Sequence, residues 1–215
     1  MIKEFKDEFQ AKAIAESLGL IITKYRGVYT VSNSKEELLV KYNLAYYSKD
    51  GIFYDKEVFE IGESDYLCIK NKEIIDASSI ELPYSIRDCS YMFWACTSLE
   101  IPPVIPKGVE NCTNMFYGCT SLKTPPILPD GVRECIETFR NCTSLETPPI
   151  IPDGVQDCYS MFQQCTTLET PPSIPKSVED CSYMFYGCTS LKKRPRFPKN
   201  GVTTGALWNT PFERG

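Results

Sequence analysis

The chain has 215 residues, 42% of them hydrophobic and 24% charged, with a formal net charge of −5. That length can bury one large core or two small ones, and the acidic balance argues against a nucleic-acid binder that works through overall charge. Histidine is absent, which excludes a Ser-His-Asp triad, a Cys-His nucleophile pair and any histidine-ligated zinc.

The N-terminus, Met1-Ile2-Lys3-Glu4-Phe5-Lys6-Asp7-Glu8, brings acidic residues at once and no apolar run comes after them. It does not read as a secretory leader. Nor is any stretch long enough to span a membrane, so we read the chain as cytoplasmic. Residues 7–18 carry apolar positions at helical spacing, and Gly19 can end that helix. Leu20 to Val31 is rich in β-branched and aromatic residues, with Arg26-Gly27 as a hairpin turn. Ser34-Lys35-Glu36-Glu37 forms a capping box that opens a second helix running to about Tyr47. Lys49-Asp50-Gly51 is a turn, Ile52 to Ile61 alternates like a strand, and Tyr66 to Ile69 is another. The expectation is a small α-β-β-α-β-β unit over residues 1–79, either a cap on the rest of the chain or a module of its own. Its tyrosines, Tyr42, Tyr46, Tyr47, Tyr54 and Tyr66, lack the basic frame of a base-stacking surface.

From residue 80 the chain repeats. Cys89, Cys112, Cys135, Cys158 and Cys181 are spaced by 23, and so are Cys96, Cys119, Cys142, Cys165 and Cys188. Phe93, Phe116, Phe139, Phe162 and Phe185 stand between them, and Leu99, Leu122, Leu145, Leu168 and Leu191 come after. Two proline columns come next, beginning at Pro103 and Pro106, and Val109, Val132, Val155 and Val178 close the unit. The fifth copy slips by one residue and places its valine at Val202. Ile80-Glu81-Leu82-Pro83 with Ile86 is a degenerate half-copy one period upstream.

A 23-residue unit cannot bury its own apolar side, so stacked copies must form a continuous core with identical residues in ladders. Phe, Leu, Ile, Val and both Cys columns are the expected ladders. Cysteine suits such a place because it is small and tolerates burial. Cysteines with six residues between them do not have a zinc-site spacing, so no metal or other cofactor is expected. Gly108, Gly131 and Gly154 mark tight turns. Proline cannot donate to a sheet ladder, so at most a very short strand is expected around the proline pair.

Segments such as Met115-Phe116-Tyr117-Gly118-Cys119-Thr120-Ser121-Leu122 and Met184-Phe185-Tyr186-Gly187-Cys188-Thr189-Ser190-Leu191 resemble the BspA-like leucine-rich repeats, over about residues 80–203. The nearest subtype has a V-x-x-M-x-x-M-F-x-x-C-x-x-L core, and cysteine here replaces its first methionine, as in Val132-Arg133-Glu134-Cys135. The resemblance implies a curved solenoid used for adhesion or protein binding, with no enzymatic activity. The fold class expected is α+β: a small N-terminal α/β domain, then a leucine-rich-repeat-like solenoid of five 23-residue repeats with very short strands, then a C-terminal cap over residues 204–215.

Ladder positions are fixed by packing, so the varying positions are mostly surface and hold the candidate partner-binding residues. One column is Trp94, Tyr117, Arg140, Gln163 and Tyr186; its neighbour is Tyr91, Asn114, Glu137, Ser160 and Tyr183. Tyr, Trp and Arg are the residue types enriched at binding hot spots. A third column, Glu100, Lys123, Glu146, Glu169 and Lys192, is expected to border the short-strand face, and its mixed signs favour a protein partner. The last repeat is basic, with Lys192, Lys193, Arg194, Arg196 and Lys199, while residues 89–191 hold five basic and eleven acidic residues. Direct nucleic-acid contact is expected only at that basic repeat. Trp208 and Phe212 are expected to fold back over the open apolar end.

The function expected is non-enzymatic binding of a macromolecular partner, a protein such as a nuclease or ribonucleoprotein, with no membrane and an oligomeric state the residues do not specify. Two alternatives stand beside it: a phage or mobile-element inhibitor of a host defence nuclease, in the manner of an anti-CRISPR protein, or a bacterial surface adhesin.

Overall fold

A computed structural model describes six strands in the first 69 residues and then residues 73–78, 80, 82 and 87–213. The strands are β1 (Lys3–Phe5), β2 (Ile21–Tyr25), β3 (Val28–Ser32), β4 (Leu44–Tyr47), β5 (Phe53–Tyr54) and β6 (Tyr66–Ile69). They form two antiparallel three-stranded sheets, ordered β1-β3-β2 and β5-β4-β6. The expected hairpin is present as the β2–β3 pair, in which Tyr25 faces Val28. One expectation is corrected: Leu44–Tyr47 is a strand, not the end of a helix. Its run of Leu, Ala and two tyrosines suits strand pairing, and it takes β5 on one side and β6 on the other. The helix expected at 7–18, the rest of the second one and the Arg26-Gly27 turn lie outside the described residues.

The repeats stack as rungs. Parallel bridges link Asp88 to Asn111, Asn111 to Glu134, Glu134 to Asp157, Asp157 to Asp180 and Asp180 to Val202. This line runs just before the first cysteine column, not through the proline pair. In the proline segment, the described residues show one bridge, Asp76 to Ile101, because proline has no N–H to give a ladder. The side chains of Asp88, Asn111, Asp157 and Asp180 each accept the N–H two residues on, at 2.7–2.8 Å. These are Asx turns that start each rung's coil. Val202 therefore occupies the aspartate column and is 52% exposed, whereas Val109, Val132, Val155 and Val178 are buried. The expected valine slip is a step of 22 from Asp180 to its bridge partner.

The interior ladders named from the spacing are buried, apart from Val202 and from Ile174, which is partly buried against the core. The phenylalanine rings stack at centroid spacings of 5.5–5.9 Å, within the range of favourable offset stacking. Leu82 of the upstream half-copy joins the same core, and Ile80 packs against it. The thiols of Cys119, Cys142, Cys165 and Cys188 donate to the carbonyls of Phe93, Phe116, Phe139 and Phe162 at 3.0–3.2 Å. Each of these buried thiols is thus satisfied one rung away, as an apolar interior requires. Burial pushes the thiols of Cys112, Cys142, Cys158 and Cys165 up, and those of Cys135, Cys181 and Cys188 to about 12.

The turn glycines answer crowding more than backbone freedom. A Cβ on Gly154 would meet the Arg133 guanidinium, and one on Gly108 would meet that of Arg87. The fourth copy has Gln156 where these arginines stand, and there Ser177 fits and donates its hydroxyl to the Val155 carbonyl at 2.7 Å.

Candidate functional site

Each rung's coil alternates two hydrogen-bonding directions. Residues such as Met92, Trp94 and Cys96 donate to the carbonyl three residues back, while Cys89, Tyr91, Phe93 and Ala95 donate to the next rung. This alternation needs two left-handed residues per rung. Tyr91, Asn114, Glu137, Ser160 and Tyr183 have φ of 52–61°, and Gly205 continues their column at 62°. Ala95, Gly118, Asn141, Gln164, Gly187 and Asn209 form the second such column. Left-handed backbone costs a non-glycine residue about 1–2 kcal/mol.

Two of the three candidate columns come together on this coil. Tyr183 meets Tyr186 edge-on at 6.4 Å, and the Glu137 carboxylate accepts from the Arg140 guanidinium. Arg140 also lies over the Tyr117 ring at 5.5 Å, a cation–π contact between rungs. Tyr159, from the column beside Tyr183, adds an edge contact at 5.8 Å. Trp94, Tyr117, Arg140, Tyr186, Tyr91 and Tyr183 are all half-buried, packed along the stack with one side to solvent.

Trp208 corrects an expectation. It is not a lid on the core: it is 50% exposed and stands 5.7 Å from Tyr183 as the next member of the Trp94 column. The reason is the hydrogen-bond ladder, which continues into residues 202–208 through the N–H groups of Cys181, Tyr183, Phe185 and Gly187. Leu207 and Phe212 pack on the end of the core.

The third column, Glu100, Lys123, Glu146, Glu169 and Lys192, is exposed and lies beyond the buried leucine ladder. It borders the proline segment, not the line of parallel bridges expected beside it. Lys192 pairs with Glu169 at 2.7 Å, both largely in solvent, a contact worth at most about 1 kcal/mol. Lys193, Arg194 and Arg196 are exposed on the last repeat. Arg194 lines a cavity at the end of the stack with Phe197, Trp208 and Phe212.

One surface was not legible in the sequence. Val104, Ile127 and Ile150 are 79%, 89% and 88% exposed and occupy one column on three consecutive rungs. Their neighbours Ile105, Leu128 and Ile151 are buried. An apolar pair between prolines signals that one member faces out, but not which.

No group of metal-ligating side chains occurs among the described residues. No helix there is long and apolar enough to cross a membrane.

The family profile described as BspA type leucine rich repeat region matches residues 56–169 and 113–205, with six copies. Among solved structures, the chain is similar to a leucine-rich repeat protein from Bacteroides ovatus, at 23% identity and a TM-score of 0.46, over 71% of this chain and 47% of that one. It is also similar to one from Eubacterium ventriosum, at 17% identity and a TM-score of 0.46, over 77% of this chain and 50% of that one. The chain thus spans about half the length of each. No curated protein matches. With the family profile covering well over half of its residues, the chain belongs to the BspA-type leucine-rich repeat family.

Proposed function

We propose that the chain is a non-enzymatic interaction module that binds a protein partner through the side of its solenoid, along the band that holds Tyr91, Trp94, Tyr117, Arg140, Tyr183 and Tyr186. The observation that carries this is the identity of the residues at the strained positions. Glycine or asparagine would cost least at the left-handed column, yet Tyr91 and Tyr183 stand there at φ of 61° and 56°. A bulky ring kept on unfavourable backbone points to a use for the ring. Leucine-rich repeats as a family suit such a role, since stacked rungs offer a long, rigid surface.

In this proposal residues 1–79 cap the stack, residues 80–203 carry five full copies, and residues 204–215 follow as a C-terminal segment that lays Leu207 and Phe212 on the end of the core. The buried cysteine columns, which form no disulfide among the described residues, fit a reducing, cytoplasmic setting. A second reading has one observation in its favour. The excess of acidic over basic residues in 89–191 suits an inhibitor that competes for the basic groove of a defence nuclease.

The test is capture from host-cell lysate with the intact chain and with a Trp94→Ala, Tyr117→Ala, Tyr186→Ala variant whose thermal midpoint shows it is folded. A partner held by the intact chain and lost by the variant supports the band. Equal capture by both would move the site off it, and no enrichment at low salt would overturn the interaction reading. If DNA or RNA displaces the partner, the inhibitor reading leads.

A further inference from the structure

The last rung differs from the others in what its N–H groups meet. In the earlier rungs, four residues spaced by two donate to carbonyls of the next. Cys158, Ser160, Phe162 and Gln164 reach those of Asp180, Ser182, Met184 and Tyr186; Cys181, Tyr183, Phe185 and Gly187 reach those of Val202, Thr204, Ala206 and Trp208. The equivalent donors of the last rung are Thr203, Gly205, Leu207 and Asn209. Of these four, one is engaged: the Asn209 N–H meets the Glu213 carboxylate at 3.3 Å. Among the described residues, the N–H groups of Thr203, Gly205 and Leu207 have no hydrogen-bond partner.

Thr203, Gly205 and Leu207 all line the open cavity at this end, which has a volume of about 250 Å3 and shares Arg194 and Glu213 as wall residues. Backbone N–H groups presented in a row by a coil with left-handed residues make an anion-binding concavity. Gly205 and Asn209 supply the left-handed positions, at φ of 62° and 54°. The surrounding charge is mainly of the matching sign, since residues 192–213 contain five basic residues and one acidic one, Glu213, whose carboxylate already meets the Asn209 N–H.

We propose that this end of the solenoid is a second site, distinct from the lateral band, that takes carboxylates from an acidic segment of a protein partner. The kind of anion is argued from the chain itself, because the one donor already engaged is engaged by a carboxylate. A second copy meeting this end with its own last rung is disfavoured, since donors would face donors and basic residues would face basic residues. Arg194 on the cavity wall, with exposed Lys193 and Arg196 on the same repeat, draws the acidic segment in and sets its direction.

The experiment is a titration of the full, isotope-labelled chain with hexaglutamate, followed by amide NMR shifts and hydrogen exchange. The expected result is shifted and protected amides at Thr203, Gly205 and Leu207. A folded Arg194→Glu, Arg196→Glu variant should bind at least about tenfold more weakly. Hexalysine should leave the three amides unmoved. The proposal is overturned if hexaglutamate shifts only the basic side chains and not these amides, or if the charge-reversed variant binds as well as the parent. It also falls if inorganic phosphate or oligothymidylate protects the amides more strongly than hexaglutamate. Because the readout is by residue, failure here leaves the lateral band untouched, and the reverse holds too.

Discussion

Two columns of the same coil, two residues apart, obey different rules. Phe93 and its four counterparts are identical and fully buried, each ring stacked on the next. Tyr91 and its counterparts are Tyr, Asn, Glu, Ser, Tyr and Gly, all with left-handed backbone. In the first column packing sets the residue, because a rung can fill the space only as its neighbours do. In the second the backbone alone would select glycine or asparagine, and the chain departs from that at Tyr91, Glu137, Ser160 and Tyr183. Fold accounts for the first column, and the side chains of the second answer to something else.

The interior columns should dominate stability, and the two cysteine columns that flank the phenylalanines give the largest expected effect. Seven cysteines have their pKa raised, with burial as the first cause in each. Below the ordinary thiol value of 9.0 both folded and unfolded chains hold these protons, so stability is fully present there. Between about 9 and about 12 the unfolded chain releases the protons that folded Cys135, Cys181 and Cys188 keep, and each of these thiols then costs about 1.4 kcal/mol per pH unit. Several thiols acting together would consume a domain's stability of about 5–15 kcal/mol within roughly two units. Circular dichroism against pH should therefore show cooperative unfolding at about pH 10 to 11, with thiolate absorbance rising in step. A folded signal that outlasts thiolate formation would contradict this.

Next in size is Phe139→Ala. Phe139 lies between Phe116 and Phe162 at 5.6 and 5.9 Å, with no exposure. Its removal should cost about 3–5 kcal/mol, read as a lower urea midpoint at unchanged slope. A loss below about 1 kcal/mol would mean that the stack closes over the gap, and the contrast between the columns would weaken.

Ser160→Gly probes the other column and should move stability the opposite way. Ser160 is buried, its hydroxyl has no hydrogen-bond partner, and its φ is 53°. Glycine removes an unsatisfied polar atom and relieves the left-handed backbone, against the larger freedom it gives the unfolded chain. The expected net gain is about 1 kcal/mol in the same urea measurement. A destabilised variant would show that Ser160 is chosen for packing, which would break the comparison at that rung.

The interior ladders were legible in the sequence because stacking forces identical residues to recur at one period, and spacing survives without coordinates. The left-handed columns were not: Tyr91, Glu137 and Ser160 carry no mark of their backbone angle, although Gly118, Asn141 and Gly187 hint at it in the companion column. The band was visible as variation, but its cross-rung contacts, such as Arg140 over Tyr117, depend on rung spacing that only the fold supplies. Val202 and Trp208 were misplaced for one reason. A single missing residue shifts the last rung, so Val202, read as the slipped valine, falls in the aspartate column, and Trp208, read as lying beyond the last repeat, falls in the column of Trp94. In the first 69 residues, the end of the helix read from a capping box and run to Tyr47 gave way to pairing with β5 and β6, because local pattern does not contain the partner strands.

The smallest expected effect tests whether exposure alone can mark a used surface. Ile127→Glu lies in the outward column with Val104 and Ile150, and Ile127 is 89% exposed. A side chain in solvent contributes little to the fold, so the substitution should change stability by no more than about 0.5 kcal/mol. Any loss of partner capture by this folded variant would then be a direct effect on binding. Three contiguous apolar side chains on consecutive rungs are the kind of patch that soluble proteins avoid unless it is used. If Ile127→Glu abolishes capture and the Trp94, Tyr117, Tyr186 variant does not, the partner sits on the proline face. The aromatics would then be packing, and the strain at Tyr91 would need another explanation. If the aromatic variant alone loses the partner, the coil face is the one used, the face that also holds Tyr91 and Tyr183 on costly backbone.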